Sequence, residues 1–183
     1  MIFVSAGHHS KRVAGSDPGA INKHGLKEGD VTIQFRDLIS AELTRLNIPH
    51  KLDSDQETLQ QYVDRIQTGS GSVVYECHLD AGPETATGTT SLVEVDANTL
   101  DKELAKELAD KTATLLGIKN RGVKSEADTR HKRLALMKEE GIIVLHELCF
   151  ITNDSDVAKL KAKMPELAKI VAQLLVKYEN IVI

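Results

Sequence analysis

Tryptophan is absent from this chain, and aromatic residues of all kinds make up only 3% of it. A platform that stacks sugars or bases needs several exposed aromatic faces, so stacking is excluded as a main mode of recognition. There are two cysteines, Cys77 and Cys149, too few for a disulfide framework. No stretch approaches the roughly 20 apolar residues that cross a bilayer. Excess positive charge is missing too: 23 basic against 27 acidic residues leave a formal net charge of -4. Phosphate neutralisation needs a concentrated basic face, so neither nucleic acid nor a membrane is an expected partner. What is present is ordinary globular composition, 41% hydrophobic and 27% charged over 183 residues. That is enough chain for one core, and residues 1–183 read as a single domain, expected to be monomeric. Met1 leads straight into Ile2-Phe3-Val4 with no basic, apolar or cleavage region of a signal peptide. The expectation is a chain made in the cytoplasm and not exported by a standard signal.

Apolar spacing then gives an order of elements. Residues 1–6 read as a short buried strand ending at Gly7, followed by a polar, Gly-rich loop to about Lys27. Val31, Phe35, Leu38, Ile39, Leu43 and Leu46 fall on one helical face. Ile48 to Leu52 reads as a strand. Asp53-Ser54-Asp55 reads as the cap of a helix carrying Leu59, Tyr62, Val63 and Ile66. Ser72 to Cys77 and Ser91 to Val95 read as strands, and Asn98 caps a long helix that ends at Gly117. Leu134 to Glu140 reads as a short helix and Ile142 to Leu145 as a central strand. Asp154 to Lys161 starts a helix, and Pro165 suits the first turn of another. Strands alternate with helices throughout. The fold class is therefore α/β, a single layer of mostly parallel, mixed sheet covered by helices on both faces.

Active sites in such folds gather at the carboxyl ends of the strands. His8 and His9 follow the first strand, His78 follows Val73-Val74-Tyr75, and Glu147 follows Ile142 to Leu145. Glu28 opens the first amphipathic helix. Two histidines and two carboxylates delivered from separate strand ends suit a hydrolytic zinc centre, which takes three protein ligands and leaves a position for water. Each residue alone has a plainer reading. A His past a strand is commonly a solvated loop residue, and a Glu in a first helical turn is favoured by the dipole. Glu147 is harder to dismiss, because it follows a wholly apolar run where an unpaired charge is costly. Gly15-Ser16-Asp17-Pro18-Gly19 reads as a turn, since no Lys-Ser or Lys-Thr pair follows to make a phosphate loop. Cys77 and Cys149 read as small buried hydrophobes.

The motifs also stand in a recognisable order. Gly7-His8 closes the first strand, and Asp17-Pro18-Gly19-Ala20 ends the loop. Leu26-Lys27-Glu28 opens the helix, and His78 sits on the next long strand. Asn120-Arg121-Gly122-Val123-Lys124 follows the long helix, and Glu147 precedes Phe150-Ile151-Thr152-Asn153. In this order, over nearly the whole chain, the sequence resembles the zinc-dependent N-acetylmuramoyl-L-alanine amidases of the Amidase_3 family. The resemblance implies one zinc ion held by His8, Glu28 and His78, with Glu147 as general base and acid. It implies cleavage of the amide between N-acetylmuramic acid and the L-alanine that opens the peptidoglycan stem peptide. The stem peptide and muramic acid are the implied partners, and Arg121 and Asp80 are candidate substrate contacts.

Departures from the family pattern fall at the site itself. The usual Asp-Pro-Gly-His-Gly-Gly is here Ser5-Ala6-Gly7-His8-His9-Ser10, which makes His9 a rival to His8 as first ligand. The usual Ser-x-His-x-Asn-Ala is here Glu76-Cys77-His78-Leu79-Asp80-Ala81. Other functions stay open: a non-catalytic wall-binding module on the same fold, or a zinc hydrolase of another amide or peptide. An endolysin or autolysin acting on the cell wall, in the periplasm or outside the cell, is the expected biological setting. The short stretch after Asp80 leaves no room for a long inhibitory insertion, so an open site is expected.

Overall fold

The computed structural model describes residues 1–8, 17–129 and 132–182. Among them are six strands: β1 (Ile2–Ser5), β2 (His50–Leu52), β3 (Val73–Asp80), β4 (Thr89–Val93), β5 (Asn120–Ser125) and β6 (Ile142–Phe150). The helices are α1 (Glu28–Arg45), α2 (Leu59–Arg65), α3 (Thr99–Leu116) and α4 (Asp154–Val182), with 3-10 turns at Glu126–Asp128 and Ala135–Lys138. The strands form one sheet in the order β2-β1-β3-β6-β4-β5. Every pairing is parallel except that of β4 with β6, so the sheet is mixed and mostly parallel, as the alternating pattern predicts.

The two faces are unequal. Ile2 and Val4, then Val73, Tyr75, Cys77 and Leu79, then Val144 and Leu148 pack against α1, α3 and α4 in one large core. Phe3, Val74, Ile143 and Leu145 point the other way, into a smaller core closed by Tyr62 and Ile66 near α2 and by Leu136 and Met137. Strand side chains alternate sides, so this split also decides where the polar residues of the same strands go. Ser5, Glu76, His78 and Glu147 share the phase of Phe3, Val74, Ile143 and Leu145, and therefore lie on the thinly covered face.

Several sequence expectations change. Residues 120–125 form a strand that pattern did not reveal, because this edge strand is half-exposed and has one apolar residue, Val123. Residues 154–182 form one continuous helix rather than two. Pro165 removes a single N–H donor, and both Pro165 and Lys161, whose carbonyl loses its partner, are exposed, so water can complete the bond. The helix between Leu134 and Glu140 is only a 3-10 turn. The cap of α2 is Thr58, in a reciprocal box with Gln61, and not Asp53.

Asp53 has a different task. Its carboxylate is buried, lies 3.0 Å from the Arg36 guanidinium of α1, and accepts the Ala6 N–H at 3.2 Å. Arg36 also meets Asp37 and Asp55. The pair thus ties α1 to the end of β1, immediately before Gly7 and His8. Asp53→Ala removes the buried partner, but Asp37 and Asp55 still meet the guanidinium, so unfolding free energy is expected to fall by about 1–3 kcal/mol, read by denaturant titration.

His146 lies on the thick face and is fully buried. Its ring nitrogens meet the Tyr75 hydroxyl at 3.0 Å and the Thr89 and Thr112 hydroxyls at 3.1 and 3.3 Å. Burial pushes its pKa down to about 3, so the folded protein holds it neutral. The unfolded chain binds that proton below about pH 6.5, so the unfolded state binds more protons there and acid destabilises the fold. Stability should fall by ~1.4 kcal/mol per pH unit below that point on account of this one group. Chemical denaturation across pH should give a slope one proton shallower in His146→Gln.

Candidate metal centre

The loop before α1 is built to deliver a carboxylate. The Asp17 carboxylate accepts the Gly19 N–H at 2.9 Å, which closes the Pro18-Gly19 turn. The Asn22 side-chain oxygen takes the His24 and Leu26 N–H groups at 2.9 and 3.0 Å and holds the return toward the helix. Gly29 N–H then bonds the Pro18 carbonyl, and Glu28 N–H bonds that of Ala20. Glu28 is thereby fixed in the first turn of α1, where the helix dipole favours an anion.

The Glu28 carboxylate is 3% exposed and fully engaged. Its Oε2 accepts the Ala20 N–H at 2.9 Å, and its Oε1 accepts the Leu79 N–H at 2.9 Å. The same Oε1 lies 3.0 Å from His78 Nδ1 and 3.5 Å from His8 Nε2. The two imidazoles meet edge to face, with centroids 4.8 Å apart. His8, Glu28 and His78 each offer one ligand atom, and these atoms all lie within 4.8 Å of one another. His9 and Ser10 lie outside the described residues, as do Gly15 and Ser16.

Two glycines make room for this cluster. Gly7 sits at φ +64°, and a Cβ there would run into the His78 ring. Gly19 sits at φ +69°, and a Cβ there would collide with the Glu28 carboxylate and the His8 ring. Both positions demand a residue without a side chain, on conformation and on space.

His78 has a second neighbour. Its Nε2 lies 2.9 Å from Oε1 of Glu76, whose Oε2 accepts the Ser5 hydroxyl at 2.7 Å. Burial works against a charged imidazole at His78, but its hydrogen bonds to the Glu28 and Glu76 carboxylates raise its pKa well above the ordinary value. His8 goes the other way, lowered by burial and by His78. Glu76 was visible in the sequence beside His78, but no role followed from it there. The available signal was strand alternation, which puts residues 76 and 78 on one face.

Glu147 stands beside His78 across the β3–β6 pairing. Its Oε2 is buried and has no hydrogen-bond partner among the described residues. Burial pushes its pKa up to about 8; His78 opposes the rise, and Asp80, Glu28 and Glu76 add to it. Both strands run further than their apolar runs suggest, so His78 and Glu147 lie within β3 and β6 rather than after them.

These side chains line a cavity of about 520 Å³, together with Gly7, Asp80, the start of α2, Thr129, Leu134 and Ala135. Asp80 lies on its wall, its carboxylate taking the Ala81 N–H at 2.8 Å. Arg121 lines a separate groove along β5. Its guanidinium packs 5.0 Å above the Phe150 ring, and its buried Nε has no partner among the described residues. Phe150-Ile151-Thr152-Asn153 turns out to be scaffolding. Asn153 caps α4 through the Asp156 N–H and donates to the carbonyls of Glu84 and Ala86. Cys77 and Cys149 are buried free thiols, as expected.

Two imidazole nitrogens and a carboxylate oxygen, converging on a cavity that Glu147 also lines, are the donor chemistry of a hydrolytic zinc site. The site residues thus fit the metal that the resemblance implies.

Comparison with known proteins places the chain in a family. The chain is 27% identical over 163 residues to the uncharacterized protein YqiI of Bacillus subtilis, covering 87% of this chain and 74% of that protein. It is 31% identical over 170 residues to the N-acetylmuramoyl-L-alanine amidase LytC of the same organism, covering 87% of this chain. It spans only 31% of the length of LytC. In fold it is similar to an N-acetylmuramoyl-L-alanine amidase from Clostridium difficile 630, with a TM-score of 0.79, 21% identity, and coverage of 98% and 96% of the two chains. Residues 2–176 match the family Amidase_3, N-acetylmuramoyl-L-alanine amidase, and the chain belongs to that family.

Proposed function

We propose that this chain is a single catalytic domain that cleaves the amide between N-acetylmuramic acid and L-alanine in peptidoglycan, using zinc held by His8, Glu28 and His78. The observation that carries the reading is the convergence of those three donors on a cavity that Glu147 shares. When bound, zinc supplies a Lewis acid that polarises the scissile carbonyl and acidifies a water. Backbone N–H groups of Ala20 and Leu79 hold the Glu28 carboxylate between the two imidazoles. Glu147, which lines the cavity, takes a proton from the attacking water and passes it to the leaving amine. In the metal-free site burial raises this carboxyl to about 8, and a bound dication would bring it down toward neutral pH, where it can both take and give a proton. Asp80 on the cavity wall and Arg121 over Phe150 are proposed to contact the stem peptide, Arg121 through its fork to a substrate carboxylate.

Mass spectrometry of purified peptidoglycan after incubation with the protein tests this directly. Free stem peptides beginning with L-alanine are expected, and are expected to vanish both with Glu147→Ala and after chelation. Folded, zinc-loaded protein that releases none would overturn the amidase reading and leave a wall-binding module or a hydrolase of another amide.

The metal reading makes its own prediction at Gly7. In Gly7→Ala the new methyl group must displace the His78 ring, in a backbone region that costs an L residue ~1–2 kcal/mol. Zinc affinity, measured by competition with a chromophoric chelator, should fall on the order of tenfold or more. The same affinity as the parent protein would count against His78 as a ligand.

A further inference from the structure

Glu76 is 2% exposed and has no part in the reaction as described so far. A carboxylate taken out of water at this depth needs partners that hold it there. Among the described residues it has two, one on each oxygen. Ser5 is its direct neighbour across the β1–β3 pairing and donates its hydroxyl to Oε2 at 2.7 Å. His78, two residues along the same strand, presents Nε2 to Oε1 at 2.9 Å. The other ring nitrogen of His78, Nδ1, is the one that faces Glu28. One side of the imidazole therefore looks into the donor cluster and the opposite side is held by a carboxylate. Ser5 and Glu76 are also two of the positions at which the sequence departs from the family's usual motifs.

We infer that Glu76 is a positioning residue for the metal centre: it accepts the Nε2–H of His78, fixes the ring so that Nδ1 is the ligand atom, and is itself aimed by Ser5. The inference rests on the proposed metal reading of the same site. Three consequences follow from its geometry. The tautomer of His78 is set in the metal-loaded site, because Nδ1 there would have given up its proton and the one left on Nε2 has Glu76 as its acceptor. The ring plane is set, because Nδ1 and Nε2 are both engaged. The basicity of Nδ1 rises, because a partner that draws on the Nε2 proton makes the imidazole a stronger donor. A merely structural Glu76 would fill space and satisfy Ser5, and would do none of these.

Titration of metal-free protein with Zn2+ alone, in competition with a chromophoric chelator, reads the first effect. The visible spectrum of the protein loaded with Co2+ reads the ligand geometry. Glu76→Ala is expected to weaken Zn2+ binding by about 10–100-fold and to shift the cobalt bands. Glu76→Gln keeps an oxygen that can accept from Nε2 and should restore much of that loss. Ser5→Ala, which frees the carboxylate to turn, should cost a few-fold and decides the matter if Glu76→Ala does not fold. Thermal unfolding of the metal-free forms separates stability from affinity. Variants that lose stability yet bind Zn2+ and give cobalt spectra as the parent does would overturn the positioning role alone. A parent protein that binds no Zn2+ would overturn the metal reading and this inference with it.

Discussion

Burying carboxylates is the constraint on which this structure depends. Glu28, Glu76 and Glu147 all withdraw at least part of their charge from water at the ends of the central strands. An ionised carboxylate in such a place is tolerable only if donors surround it. Glu28 is met by two backbone N–H groups and two imidazoles, and Glu76 by a hydroxyl and an imidazole. Glu147 is met by no donor at Oε2 among the described residues, and its pKa rises to about 8. The two imidazoles cannot neutralise three carboxylates and Asp80 together. A dication at the donor cluster would offset two of those charges, and it would lower the Glu147 pKa toward the range where a base works.

The unequal faces of the sheet follow from the same need. A parallel sheet is normally covered on both sides. Here α1, α3 and α4 close one side completely, while α2 and the 3-10 turns cover only part of the other. The uncovered part is where the carboxyl ends of β1, β3 and β6 meet, and it becomes the cavity. Apolar stability is concentrated in the thick layer, which frees the thin layer to hold charge.

Much of this was legible in the sequence because it is local. The helical stripe from Val31 to Leu43, the cap at Asn98 and the apolar run before Glu147 each depend on neighbours a few residues away. The order of Gly7-His8, Glu28, His78 and Glu147 was legible through resemblance, and the fold brings these residues to one cavity. What was hidden depends on partners distant in sequence. Asp53 looks like a cap until α1 places Arg36 against it. β5 has too few apolar residues to announce itself, because it pairs on one side only. Glu76 reads as an odd substitution until the register sets Ser5 beside it.

That register links core and site more tightly than either shows alone. On β3 the core takes Tyr75 and Cys77 while the cavity takes Glu76 and His78; on β6 the core takes His146 and Leu148 while the cavity takes Glu147. A slip of one residue would send His78 into the α1 and α4 layer and Cys77 into the cavity. The apolar packing of the odd-numbered residues on β3 is therefore what holds its even-numbered residues in register with the ligands of β1 and α1. Identity at a cavity position can change, as at Ser5, Glu76 and Asp80, provided the exchanged group still finds donors on the same face. The backbone path cannot change, because Gly7 and Gly19 leave no space for a different one.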